Sequence, residues 1–237
     1  MERKQLQSVK IILGMLALVF SLAVASPARA ILTLYVSDGS APNTFTIADG
    51  GAGDLSSQSG SVVYSNIFGN VILNVDTGIS KPVIGSILAP ELHLDSILAT
   101  TGPVTLTLRL SDTDFSGAGF TTFLAGLGGV LSAPSGSTVT MSAYMDLANN
   151  LFGTGTLLCS TGPLSGTPSF AANCGANNIA VDDQYSVTLE AIVNLTGVGN
   201  ASLNAIVKDA PEPSSMILLG LGLLGMAVWA RRNGYSN

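Results

Sequence analysis

An all-β fold, with an antiparallel β-sandwich or jelly-roll-like ectodomain, is predicted by three features of this chain. Apolar and polar residues alternate with period two in one segment after another. Gly, Asn, Asp and Pro punctuate those segments at short intervals. Polarity comes from Ser, Thr, Gly and Asn, because charged residues make up only 10% of the sequence, against about 25% in an average soluble protein. Many short strands with regular turn signals belong to sandwiches and jelly rolls.

Leu32–Val36, Thr44–Ala48, Ser61–Ile67 and Val71–Val75 are the first predicted strands. Asp38-Gly39, Asp49-Gly50-Gly51 and Gly69-Asn70 supply turns between them. Glu91–Asp95 alternates, with Glu91, His93 and Asp95 on one polar face. Val104–Leu110 sets Val104, Leu106, Leu108 and Leu110 against Thr105, Thr107 and Arg109. Thr138–Met145, Tyr185–Leu195 and Ala201–Val207 follow the same rule. Phe120–Leu131 is ambiguous: Phe120, Phe123, Leu124 and Leu127 are spaced for a helix, while Gly126, Gly128 and Gly129 oppose one. Leu32-Thr33-Leu34 with Ser37-Asp38 is echoed by Leu106-Thr107-Leu108 with Ser111-Asp112, as two equivalent strands would be.

The ends divide the chain into three parts. Residues 1–30 read as a signal peptide: a basic start, the apolar run Ile11–Ala25, and Ala28 and Ala30 at the small-residue positions signal peptidase requires. Cleavage after Ala30 is expected, with Ala25 as the alternative. Residues 31–210 form the β-rich ectodomain. Residues 211–237 form a tail in which Pro211 and Pro213 hold Glu212 extended. Met216–Ala230 carries no polar side chain and is expected to be one C-terminal transmembrane helix. At 1.5 Å per residue it spans ~22 Å, short of the ~30 Å hydrocarbon core, a mismatch that local thinning absorbs. Arg231 and Arg232 follow and remain cytoplasmic by the positive-inside rule.

Pro-Glu-Pro, a glycine-containing apolar helix and a di-arginine end, in that order, resemble the PEP-CTERM sorting signal. The resemblance implies that an exosortase-type membrane protease recognises Pro211, Glu212 and Pro213, with 216–230 as span and Arg231 and Arg232 as cytoplasmic stop. It also implies a surface or matrix protein associated with exopolysaccharide or biofilm. An ordinary single-pass anchor is the competing reading of the same tail. The ectodomain is similar to those of other PEP-CTERM proteins at Ile47–Asp54, at Ser80-Lys81-Pro82 and at Leu106–Phe115, a likeness that brings no activity with it.

Between residues 31 and 210 three basic residues face thirteen carboxylates, a net charge of −10. Such a surface repels nucleic acid and anionic lipid. Cys159 and Cys174 are the only cysteines, and in an exported chain they read as a disulfide. His93 is the sole histidine, so a Ser-His-Asp triad would depend on it, and no G-x-S-x-G elbow accompanies it. Multi-ligand zinc chemistry lacks its ligands. Asp49, Asp54, Asp112, Asp114, Asp182 and Asp183 are oxygen donors suited to Ca²⁺, or else turn aspartates bonded to their own backbone. The second reading is the expectation, with no metal and no cofactor. The ectodomain lacks tryptophan, and Tyr35, Tyr64, Tyr144 and Tyr185 lie in predicted strands, so no aromatic sugar platform is signalled. The expected function is therefore that of an exported, non-enzymatic structural protein. The alternative is a binding module for matrix polysaccharide or Ca²⁺.

Overall fold

A computed structural model describes residues 32–165, 169–210 and 219–226. The expectations for 1–30, for Pro211, Glu212 and Pro213, and for Arg231 and Arg232 lie outside those residues. The described chain is antiparallel β-structure: β1 (Thr33–Ser37), β2 (Thr44–Ala48), β3 (Ser61–Phe68), β4 (Val71–Ile79), β5 (Glu91–Thr100), β6 (Val104–Ser132), β7 (Thr138–Asp146), β8 (Thr156–Ser160), β9 (Ser169–Leu195) and β10 (Gly199–Ala210). One hydrogen-bonded path runs β3-β4-β5-β10-β6-β9-β7-β8, with β1 and β2 attached at β6.

Two strands organise this path. β6 and β9 are 29 and 27 residues long, far beyond the usual five or six, and pair along nearly their whole length. Residues 107–111 of β6 pair with β1, whereas 122–132 pair with β10. Between these stretches the register shifts from Asp112 to Phe115. Asp114 and Asp183, on the two strands, take φ of 61° and 60° there. A bulge with a left-handed residue bends a strand and sharpens its twist, so each long strand serves two neighbourhoods. One reads β2-β1-β6-β9-β7-β8, the other β3-β4-β5-β10-β6-β9.

The two neighbourhoods face one another across the core. A Cβ built on Gly78 of β4 would lie 2.3 Å from Leu110 Cδ1 of β6, so the two strands touch where the glycine leaves room for the leucine. Alternate residues of every strand point inward, and Leu34, Leu73, Leu94, Leu108, Met141 and Leu189 are among those fully buried. Each such side chain stabilises the fold by about 1.5–3 kcal/mol relative to exposure. The expected disulfide is present: Cys159 of β8 bonds Cys174 of β9, with Cα atoms 5.8 Å apart. It ties the outer strand of one neighbourhood to the outer strand of the other.

The predicted strands appear where the alternation put them, most of them longer. Phe120–Leu131 is strand, not helix, because β9 and β10 flank it and take its backbone hydrogen bonds. Its glycines suit that setting: a Cβ on Gly126 would come within 2.7 Å of Asn173 Oδ1. The echo between Leu32–Asp38 and Leu106–Asp112 is spatial as well, since Thr33 lies opposite Ser111 and Ser37 opposite Thr107. Within the expected span 216–230, residues 219–226 are helical, with Leu219, Leu221, Leu223, Leu224 and Met226 exposed. No helix among the described residues is long and apolar enough to cross a membrane.

Candidate functional site: a buried lysine and an open groove

The three ectodomain stretches singled out above converge in space. Asp49 Oδ2 accepts a hydrogen bond from the Gly60 N–H at 2.7 Å, and the Gly60 carbonyl accepts one from the Ser80 N–H at 2.9 Å. A Cβ on Gly60, whose φ is +82°, would sit 2.6 Å from the Lys81 carbonyl oxygen, so glycine alone permits this approach. The Ser80-Lys81-Pro82 turn then delivers Lys81 to the bulge of β6.

Lys81 is buried, its side chain 6% exposed against 0% for Asp112. Its Nζ lies 3.0 Å from Asp112 Oδ2, donates also to the Thr113 carbonyl, and stands 3.6 Å from the centre of the Phe115 ring. Asp112 Oδ2 accepts a second bond from Ser80 Oγ at 2.7 Å, and Oδ1 accepts the Thr113 N–H at 2.8 Å. Burial pushes the lysine down and the aspartate up from their ordinary values, and their mutual attraction opposes both shifts. Beyond them, Asp114 Oδ1 accepts from Asn149 Nδ2 at 2.7 Å while Asn149 Oδ1 accepts the Asp114 N–H at 2.9 Å. That exchange fixes the bulge to the loop after β7.

Other expected candidates stand apart from this node. Asp54 accepts backbone N–H groups of Gly50, Ser56 and Val63 at 2.8–2.9 Å, as a turn aspartate does. Asp183 lies at the bend of β9, and the Asp182 side chain is outside the description. Among the described residues no three His, Cys, Asp or Glu side chains gather as a metal group. His93 lies in β5, its Nε2 3.3 Å from Glu91 Oε1. Arg109 Nε meets Glu190 Oε2 at 2.5 Å and sits over the Tyr35 ring. Tyr64 and Tyr185 are buried, and burial raises both hydroxyls, with Asp209 adding to the shift of Tyr185.

Sequence reasoning missed Lys81 as a chemical group. Its signal was available: it is one of three basic residues in the ectodomain and precedes a proline. It also missed an open depression of about 380 Å³ over β5, β10 and β6, lined by Asp95, Ile97, Gly128, Gly129, Ser202 and Asn204 among others. Gly128 leaves the floor open, and Asn204 Nδ2 donates to Asp95 Oδ1 at its rim. Ile97 gives it an exposed apolar side chain.

Comparison with known proteins adds the following. No curated protein matches the chain in sequence. The enzymatically active domain of tailspike protein 4 from bacteriophage CBA120 is 10% identical with a TM-score of 0.34, over 63% of this chain and 19% of that one. The chain thus spans about a fifth of the tailspike's length. A xylan-binding domain from Paenibacillus barcinonensis is 8% identical with a TM-score of 0.31, over 67% of this chain and 91% of that one. A cleaved adhesin domain of Lys-gingipain from Porphyromonas gingivalis is 10% identical with a TM-score of 0.31, over 67% and 95%. None is near enough to bring a function. Residues 209–232 match the family model described as the PEP-CTERM protein-sorting motif.

Proposed function

The chain carries a PEP-CTERM protein-sorting motif at its C-terminal end, and from that premise we propose that it is an exported structural protein of the cell surface or extracellular matrix. A signal peptide over 1–30 takes it across the inner membrane, and signal peptidase cuts after Ala30. The helix over 216–230 holds it there until an exosortase-type protease acts at Pro211, Glu212 and Pro213. The motif match is the observation that carries this reading. The polar side chains at the bulge and turns bond each other and the backbone, which suits a structural role. Association with exopolysaccharide belongs to the same proposal, and the acidic surface suits a hydrated neutral matrix, not nucleic acid or another polyanion.

A second reading is favoured by the groove over β5, β10 and β6. Asp95, Ser202 and Asn204 offer hydrogen bonds to sugar hydroxyls, and Ile97 offers an apolar contact to a ring face. These groups support the reading of a polysaccharide-binding module, with Asn204→Ala expected to weaken retention on the host's own polysaccharide.

The proposal is tested by intact mass on protein recovered separately from membrane and extracellular fractions of the native host. The expected extracellular species begins at Ile31 and ends near Pro211–Pro213. A single membrane-bound species that keeps Arg231 and Arg232 would reduce the tail to an anchor and remove exosortase as a partner.

A further inference from the structure

A lysine is buried only where it is paired and its donors are bonded. Around Lys81 the arrangement does more than neutralise charge. The two carboxyl oxygens of Asp112 are held differently: Oδ1 by the Thr113 backbone N–H at 2.8 Å, Oδ2 by Lys81 Nζ at 3.0 Å and Ser80 Oγ at 2.7 Å. Oδ1 thus has an oxyanion donor in place, and Oδ2 has proton carriers on it. The Phe115 ring, 3.6 Å from Nζ, closes the remaining side and excludes water. We propose that Lys81 and Asp112 condense to an intramolecular isopeptide bond, linking the turn after β4 to the bulge of β6.

The step balances without an oxidant or cofactor. The ammonium of Lys81 passes one proton to the Asp112 carboxylate, leaving an amine and a carboxylic acid. Burial pushes both groups toward these neutral forms. The Nζ lone pair attacks Cγ, and negative charge gathers on Oδ1 against the Thr113 N–H. The Cγ–Oδ2 bond breaks, and Oδ2 leaves as water carrying the carboxyl proton and one proton from Nζ. Ser80, bonded to Oδ2, relays the second. The product is a secondary amide between Nζ and Cγ, spanning residues 31 apart in sequence. Held within contact distance in a closed site, the partners react as an intramolecular pair with high effective concentration. The inference concerns the ectodomain and does not rest on how the tail is processed.

The test is mass spectrometry of the protein purified from its native host, reduced and denatured. Trypsin does not cut before proline, so Lys81 falls in a peptide ending at Arg109 and Asp112 in the peptide Leu110–Lys208. The expected result is one branched species about 18 Da lighter than the sum of the two, the mass of one water. Asp112→Asn retains the link but releases ammonia, about 17 Da. Lys81→Met and Asp112→Ala give two separate peptides of full mass. Separate, full-mass peptides from the wild-type protein would overturn the proposal. So would a deficit that survives Lys81→Met, since an imide elsewhere in the chain would then explain it.

Discussion

Asp76 is a carboxyl placed where a β-sandwich ordinarily puts a leucine. It lies on the inward face of β4, fully buried, opposite Tyr64 of β3 and Ser96 of β5 in register. Neither of its oxygens, nor Ser96 Oγ, closes a hydrogen bond among the described residues. Burial therefore raises its pKa to about 8, and the nearby Ser96 hydroxyl only tempers the shift. The sign follows from proton linkage. An unfolded aspartate ionises near pH 3.9, so between about pH 4 and pH 8 the folded chain holds one proton more than the unfolded one. Stability is full at the acid end of that window and is lost as pH rises through it. Asp76→Asn keeps the shape and removes the charge. It is expected to flatten the dependence of Tm on pH between 5 and 8 and to raise Tm at pH 8. A variant whose melting curve tracks the wild type across that range would show that Asp76 is already ionised and satisfied in the fold.

At the scale of elements, what the sequence displayed depended on how each strand is buried. β7 and β10 each have one face in the core, and β1 and the second half of β9 set an apolar face against a polar one even where Thr33, Ser186 and Thr188 are buried, so period-two alternation marked all four. The first half of β9 carried no such mark. Ser169–Asp183 mixes Ala, Asn and Gly with a few scattered apolar residues, pairs with the glycine-rich part of β6, and is largely exposed or half-buried. Its conformation comes from the ladder it joins, not from its own propensity. Phe120–Leu131 was obscured for the same reason. At the candidate site the turn and bulge residues were visible as motifs, but their meeting was not. The Ser80-Lys81-Pro82 turn and the bulge of β6, 31 residues apart in sequence, meet only in the fold. The disulfide belongs to this scale because it joins β8 to that weakly marked half of β9. On the chain-entropy account a bridge between residues 15 apart stabilises by about 3 kcal/mol. Replacing Cys159 and Cys174 with alanine is expected to lower Tm by about 6–12 °C for a domain of this size, read by calorimetry on the exported protein. An unchanged Tm would mean that the ladder between β6 and β9 holds this half without the bridge.

The molecule as a whole separates an address from a body. The sandwich has its own core, while the sorting motif occupies 209–232 at the far end, where β10 ends at Ala210. Two interventions in the native host distinguish what the tail does. Removing residues 211–237 takes away recognition motif, apolar helix and arginines together. The chain is then expected in the soluble extracellular fraction, unsorted, with the ectodomain's Tm unchanged. Replacing Pro211, Glu212 and Pro213 with alanine leaves the apolar helix and both arginines in place. On the proposed reading, the three substitutions remove the recognition motif and leave the apolar stretch untouched, so processing is expected to stop while membrane association continues. That variant is expected to accumulate in the membrane with Arg231 and Arg232 still attached, as immunoblots of separated fractions and mass would record. The comparison matters because a simple anchor predicts something else. If the tail only anchors, the alanine variant and the wild type distribute alike, and only the deletion moves the protein. A difference between the alanine variant and the wild type therefore isolates recognition from hydrophobicity, since the apolar stretch 216–230 is the same in both.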